Sequence, residues 1–84
     1  SGISNSVQFS KLKKSLAPFE DIPLLSDHFV KAAEFSNRCR KNGIQGSNTD
    51  FLICAVAHLE ALFIFTVDRD FEKYKKYLPI NFLK

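Results

Sequence analysis

The pattern of apolar and polar positions along this 84-residue chain predicts helices alternating with short strands. Apolar residues recur at helical spacing in four segments, with polar residues between them. Apolar runs that lack this spacing mark three short strands. The predicted elements, in chain order, are a helix at 5–16, a strand at 19–25, helices at 27–41 and 49–60, a strand at 62–65, a helix at 69–77 and a strand at 78–82. This order is typical of an α/β fold.

Prolines, glycines and capping residues place several of the boundaries. Pro18 ends the first predicted helix, because a proline disfavours helix in the residue before it. Ser26-Asp27 is expected to cap the second helix, and Asn42-Gly43 is expected to end it. Three candidate caps in a row, Ser47-Asn48-Thr49, precede the third helix.

The third helix and the strand after it are expected to form the core. The helix is apolar on nearly every side from Phe51 to Ala57, which predicts full burial. The run Leu62–Phe65 suits a central parallel strand covered on both faces. The second helix is expected to turn four side chains inward, namely Phe29, Ala32, Ala33 and Cys39. Two or three short strands make a poor sheet, so part of the sheet is expected to lie outside this chain.

Composition narrows the class to one small globular domain. Hydrophobic residues make up 45% of the chain, and the net charge of +3 is compatible with a nucleic-acid partner without requiring one. The sequence has neither a membrane-length apolar run nor a signal-peptide pattern. Cys39 and Cys54 match no zinc-site spacing and lie in apolar helical segments. We therefore expect buried free thiols in a cytoplasmic protein with no membrane association.

Three acidic residues bracket the predicted core. Asp50 opens the third helix, while Asp68 and Asp70 follow the strand that comes next. Carboxylates at the start of a helix and at the end of the following strand can meet at one edge of a sheet, where they would repel one another unless a cation lay between them. Mg²⁺ or Mn²⁺ would suit such oxygen ligands and could activate water at a phosphodiester. Nearby hydroxyl and amide groups that could contact water or phosphate belong to Thr66, Ser47 and Asn48.

Each of these residues also has an ordinary structural explanation. A carboxylate in the first turn of a helix, as at Asp50, is stabilised by the helix dipole. Asp68 could cap the next helix, and Asp70 would then be an exposed acid in its first turn. The hydroxyl and amide residues are equally suited to turns and caps. Both explanations stay open at the level of the sequence.

Other polar candidates carry weaker signals. His28 and His58 have no acidic or thiol partner at ligand spacing, so we expect surface or hydrogen-bonded histidines. The run Lys73–Tyr77 mixes cations with aromatic rings and could line a nucleic-acid groove. A solvated helix face is the commoner explanation of such a run.

Several of these segments resemble the C-terminal half of a PIN domain, in particular the VapC-type toxins of bacterial toxin–antitoxin pairs. The likeness lies in Gly43-Ile44, in the run Asp50–Ala57 and in the run Phe65–Phe71. It implies a three-layer α/β fold with a central parallel sheet, of which residues 1–84 would be the C-terminal portion. It also implies a cytoplasmic Mg²⁺- or Mn²⁺-dependent endoribonuclease with RNA as substrate, a cognate antitoxin as partner, and a homodimeric state.

The resemblance assigns roles to individual residues. Asp50 and Asp68 match two of the family's four metal-binding acids, Asp70 matches a frequent additional acid, and Thr66 matches a polar residue close to the metal. Cys54 stands where a small alanine is usual. The other two acids, with an N-terminal strand and helices, would precede Ser1, so this chain alone is expected to be inactive. The alternative is a non-catalytic half-domain that acts in assembly or antitoxin binding.

The acidic pair after the second apolar run also matches another family. Asp68-Arg69-Asp70 has the form of the Asp-x-Asp motif of haloacid-dehalogenase-type phosphatases. Those enzymes have Thr or Val two residues after the second aspartate, where this chain has Glu72. The phosphatase assignment is therefore rejected.

Overall fold

Three helices and two very short strands make up the part of the chain that the computed structural model describes, residues 14–17, 23–66 and 68–82. They are β1 (Leu16–Ala17), α1 (Ser26–Lys41), α2 (Asn48–Leu59), β2 (Phe63–Ile64) and α3 (Asp70–Lys75). Helix α1 packs along α2, and both strands and α3 add to the same core. No helix in this described part combines the length and the apolar character needed to cross a bilayer.

Helix α2 lies at the centre of the core. Every residue from Asp50 to Ala57 is buried, which confirms the burial predicted for this segment. The helix begins one residue earlier than predicted, with Ser47 as its N-cap. The Ser47 hydroxyl accepts a hydrogen bond from the backbone N–H of Asp50 at 3.1 Å, so one of the unpaired donors of the first turn is satisfied.

Helix α1 begins differently from the prediction. Leu25, rather than Ser26-Asp27, is the N-cap residue, and no side chain of the cap bonds to the helix. Instead Nδ1 of His28 accepts the backbone N–H of Leu25 at 2.9 Å, which is one half of a capping box. The C-terminal end agrees with the prediction, because Asn42 is the C-cap and Gly43 follows with a φ of +76°.

The buried stripe of α1 differs from the expected one. Its buried side chains are His28, Phe35 and Cys39. Of the residues expected to face inward, Cys39 is correct, Ala32 is half-buried, and Phe29 and Ala33 are exposed. The stripe is shifted because His28 takes an inward position next to Phe29, about 100° around the helix.

Hydrogen bonds explain why a histidine can lie in this core. His28 is 1% exposed, and its Nε2 lies 2.8 Å from a carboxylate oxygen of Glu60, while Nδ1 accepts from Leu25. The ring therefore carries its proton on Nε2 and donates it to Glu60. This confirms a hydrogen-bonded histidine, although its partner Glu60 lies 32 positions away and was not predicted. His58 is exposed, as expected.

Strand β2 is paired on both sides. It runs antiparallel to β1, with Leu16 opposite Ile64, and a single parallel bridge joins Ile64 to Phe82. Ile64 is fully buried, but Phe63 and Phe65 are 44% and 59% exposed. The expectation of a parallel strand covered on both faces is therefore wrong for β2 in the described part of the chain, where one pairing is antiparallel and one face is open.

The remaining boundaries agree in part with the prediction. Residues 14 and 15 are helical but Leu16 already belongs to β1, and the rest of the helix predicted at 5–16 lies outside the described residues. Of the strand predicted at 19–25, residues 23–25 form no strand, and 19–22 lie outside the described residues. Helix α3 ends at Lys75, and the strand predicted at 78–82 is reduced to the bridge at Phe82. The three-layer arrangement with a central parallel sheet stays a prediction.

Both cysteines are free and buried, which confirms the expectation for them. Burial raises the pKa of the Cys54 thiol, and the neighbouring Asp50 charge raises it further. Burial likewise raises the pKa of Cys39. Both thiols are therefore protonated core residues of low reactivity near neutral pH.

Candidate metal centre

The structure brings the three predicted carboxylates together. One ligand oxygen from each of Asp50, Asp68 and Asp70 lies within 4.8 Å of the others. The convergence arises because the N-terminal end of α2 lies beside the segment that joins β2 to α3. Asp50 is buried, whereas Asp68 and Asp70 are exposed. The cluster thus combines a carboxylate fixed in the core with two at the surface.

The Asp50 carboxylate is held from inside the protein. It is 5% exposed, and Oδ2 accepts a hydrogen bond of 2.8 Å from the hydroxyl of Tyr74. Tyr74 is itself fully buried, with the rings of Phe51 and Phe71 at centroid distances of 5.2 Å. The side chain that caps α2 is that of Ser47, which accepts the backbone N–H of Asp50.

The exposed carboxylates are oriented by local turns. The hydroxyl of Thr66 accepts the backbone N–H of Asp68 at 3.1 Å, and Oδ1 of Asp68 accepts the backbone N–H of Asp70 at 3.0 Å. These two bonds, each spanning two residues, are the turns that threonine and aspartate side chains commonly stabilise. Asp68 therefore does serve the start of α3, as the structural explanation supposed, although the N-cap residue is Arg69.

The two other supporting candidates have different positions. Ser47 acts as the cap of α2, so its hydroxyl has the structural role that was the alternative explanation. Asn48 is exposed at the start of α2 and lines an open groove between α1 and α2, together with Phe29 and Phe51.

Tyr74 is the residue of this site that the sequence did not reveal. The sequence suggests a nucleic-acid groove or a solvated helix face for the run that contains it. Both assignments are wrong for Tyr74 itself, because its side chain is fully buried. The signal was the spacing of Phe71, Tyr74 and Leu78, which marks one buried side of this segment. The lysines between them are exposed, as the solvated-face explanation requires for that side.

Gly46 is a second residue that sequence inspection missed. A Cβ atom at this position would collide with the hydroxyl oxygen of Tyr74 and would lie 2.8 Å from its Cζ. Glycine is therefore required for close packing, since any side chain would displace the phenol ring. The loop before α2 and the side of α3 meet at this contact.

Two neighbouring side chains, those of Tyr74 and Lys73, influence the charge of the cluster. Burial raises the pKa of Tyr74, and its hydrogen bond to Asp50 raises it further, so the phenol stays protonated and donates. Lys73 Nζ lies 3.8 Å from Asp70 Oδ1, an exposed contact at the edge of the cluster. Carboxylate oxygens are the ligands that hard divalent ions such as Mg²⁺ prefer.

Comparisons with protein-family models, curated proteins and solved structures find no match to this chain.

Proposed function

We propose that this chain is the C-terminal portion of a PIN-like endoribonuclease that uses Mg²⁺ or Mn²⁺ to cleave RNA phosphodiesters. The observation that carries the proposal is the convergence of Asp50, Asp68 and Asp70, whose oxygens lie within 4.8 Å of one another. These acids are also the ones that the PIN-domain resemblance assigns to the metal site. A cognate antitoxin and a homodimeric state belong to the same proposal, as in VapC-type toxins.

The residues divide the work of such a site between them. Asp50 and Asp68 would hold the ion, and Asp70 would assist them. Thr66 fixes the backbone of Asp68 by accepting its N–H at 3.1 Å. When bound, the ion would lower the pKa of a coordinated water and neutralise charge on the phosphodiester.

Terbium luminescence tests the metal site directly. Tb³⁺ prefers oxygen ligands, as Mg²⁺ does, and emits when a nearby excited phenol transfers energy to it. The chain has no tryptophan and two tyrosines, and one of these, Tyr74, donates a hydrogen bond to Asp50. We expect tyrosine-sensitised emission that saturates with Tb³⁺ and is reduced by competing Mn²⁺ or Mg²⁺.

Two variants separate the site from unspecific binding. Asp50→Asn keeps an oxygen acceptor for Tyr74 but removes the buried negative charge, so the sensitised emission should be lost. Tyr77→Phe removes the other tyrosine, which is 37% exposed, and should leave the emission in place. Emission that survives Asp50→Asn, or that disappears in Tyr77→Phe, would contradict a metal site at this cluster.

The same proposal makes a statement about activity. The resemblance implies a site of four acids, and this chain matches two of them, Asp50 and Asp68. We expect no RNA cleavage by this chain that depends on Mg²⁺ and is stopped by EDTA. Robust cleavage of that kind would show that the three acids suffice and would overturn the half-site proposal.

A second candidate function, assembly without catalysis, has one observation in its favour. Phe63 lies in β2 and Phe65 follows the strand directly, two residues further along, and both are substantially exposed, at 44% and 59%. A second protein chain could cover these two rings. A mass measurement in solution tests this, because a monomer at high protein concentration would count against self-association. If a dimer forms there, Phe65→Ser should dissociate it.

A further inference from the structure

We propose that Tyr74 is a positioning residue, which holds the Asp50 carboxylate in its metal-binding orientation, and that Gly46 is kept free of a side chain to allow this. The inference rests on the metal site proposed above and adds to it a mechanism for setting its geometry. Neither residue belongs to the acidic set that the sequence pointed to. Both act from inside the protein, through the hydroxyl of Tyr74.

The phenol is suited to fixing a carboxylate because it is itself fixed. Tyr74 is fully buried, and its ring lies 5.2 Å from the rings of both Phe51 and Phe71. Its hydroxyl therefore has one position, 2.8 Å from Oδ2 of Asp50. Rotation of the carboxylate about its side-chain bonds would break this buried bond, which costs more than breaking one in water.

The fixed hydroxyl of Tyr74 affects the direction in which Asp50 presents its carboxylate oxygens. Asp68 and Asp70 are exposed, and among the described residues their side chains take part in a local turn and in the contact with Lys73. Asp50 is buried and faces both of them across less than 4.8 Å. The hydroxyl of Tyr74 thus helps to set the orientation of the one carboxylate of the three that is buried. Partners that orient a metal ligand in this way usually change metal affinity by about 10- to 100-fold.

Gly46 supports the arrangement by leaving room for the phenol. A Cβ atom there would collide with the Tyr74 hydroxyl and would lie 2.8 Å and 2.9 Å from two ring carbons. An alanine would push the ring aside, and the hydroxyl would leave its position against Asp50. Gly46→Ala should therefore weaken metal binding without altering any polar group of the site.

The test measures Mn²⁺ binding by the complete 84-residue chain, with free Mn²⁺ followed by its paramagnetic resonance signal. Tyr74→Phe removes the hydroxyl and keeps the ring, and should weaken Mn²⁺ binding by about tenfold or more. Tyr77→Phe removes an equivalent hydroxyl from a half-exposed ring and should leave the affinity unchanged. Phe35→Leu, in the core between α1 and α2, shows what a loss of thermal stability alone does to the affinity.

A double-variant cycle adds a readout that a purely structural role would not move. If Gly46→Ala acts by displacing the hydroxyl, adding Tyr74→Phe to it should cause little further loss of Mn²⁺ affinity. Independent structural damage would instead give losses that multiply. Should Gly46→Ala fail to fold, Tyr74→Phe and its controls still decide the question.

The outcomes distinguish failure of this inference from failure of the metal site. Binding that is lost in Asp50→Asn but unchanged in Tyr74→Phe would overturn the positioning role and leave the site intact. An equal loss in Phe35→Leu and Tyr74→Phe would reduce Tyr74 to a core residue and also overturn it. Absence of Mn²⁺ binding by the unaltered chain would overturn the site and the positioning role together.

Discussion

The two sides of the acidic cluster are built in different ways. On one side, Asp50 lies in the first turn of a helix that is buried from Asp50 to Ala57, and it accepts a hydrogen bond from a buried phenol. On the other side, Asp68 and Asp70 are exposed, and the contacts described for their side chains are local, namely turn hydrogen bonds that span two residues and an ion pair that spans three. The buried side fixes where an ion would lie. The exposed side can adjust its carboxylates to the distances that the ion requires.

The largest expected effect is on stability, and it separates the two sides. Asp50→Ala removes the acceptor of the Tyr74 hydroxyl and leaves a buried donor unpaired, which costs about 1–3 kcal/mol. Asp68→Ala removes one exposed turn bond and should cost less than about 1 kcal/mol. Urea unfolding followed by circular dichroism gives both values.

A matched pair of milder variants sharpens this result. Asp50→Asn retains an acceptor for Tyr74 and should recover part of the stability that Asp50→Ala loses. Asp68→Asn retains the acceptor for the N–H of Asp70 and should unfold close to the unaltered chain. Equal losses of stability for the two alanine variants would show that the buried hydrogen bond of Asp50 contributes no more than the exposed turn bond of Asp68.

The same division explains what the sequence could and could not reveal. The apolar run Asp50–Ala57 predicted a buried helix correctly, because helix burial depends on a local pattern of side chains. The meeting of Asp50 with Asp68 and Asp70 was also predicted, from the order of one helix and one strand. Local patterns and chain order therefore located the candidate site.

Contacts between distant segments were not predictable in this way. Tyr74 lies 24 residues from Asp50, and its place among three lysines resembled a solvated surface. His28 faces the core because Glu60 and the backbone of Leu25 satisfy its ring, and neither partner could be deduced from spacing. The antiparallel pairing of β1 with β2 is likewise a contact between distant segments, and an apolar run does not specify the direction of such a pairing.

The buried side should also make the protein sensitive to alkaline pH. Burial raises the pKa of Cys54 above its ordinary 9.0, so the unfolded chain loses this proton first as the pH rises. The stability that the neutral thiol contributes is complete below that value and is lost as the pH climbs towards the folded-state pKa. The free energy of unfolding should fall by up to about 1.4 kcal/mol per pH unit for this group.

Urea unfolding between neutral and strongly alkaline pH, in the presence of a reductant, measures this decline. Cys54→Ala should reduce its slope, whereas Asp68→Asn should leave the slope unchanged because its effect is confined to the exposed side. Tyr74 adds to the decline at higher pH, since its pKa is also raised, from an ordinary 10.0. A flat profile across this range would contradict the protonated, desolvated state assigned to Cys54.

The smallest expected effect lies on the exposed side, at the contact of Lys73 with Asp70. The Nζ–Oδ1 distance is 3.8 Å and both side chains are more than half exposed, so the contact is weak. Lys73→Gln removes a positive charge that competes with a cation, and should strengthen Mn²⁺ binding by about two- to threefold at low salt. At about 0.5 M salt the gain should vanish, because screening shortens the reach of surface charges.

Lys76→Gln makes the same change of charge one turn further along and should have less effect. An equal gain from both variants would show that only net charge matters, and that Asp70 has no specific place in the cluster.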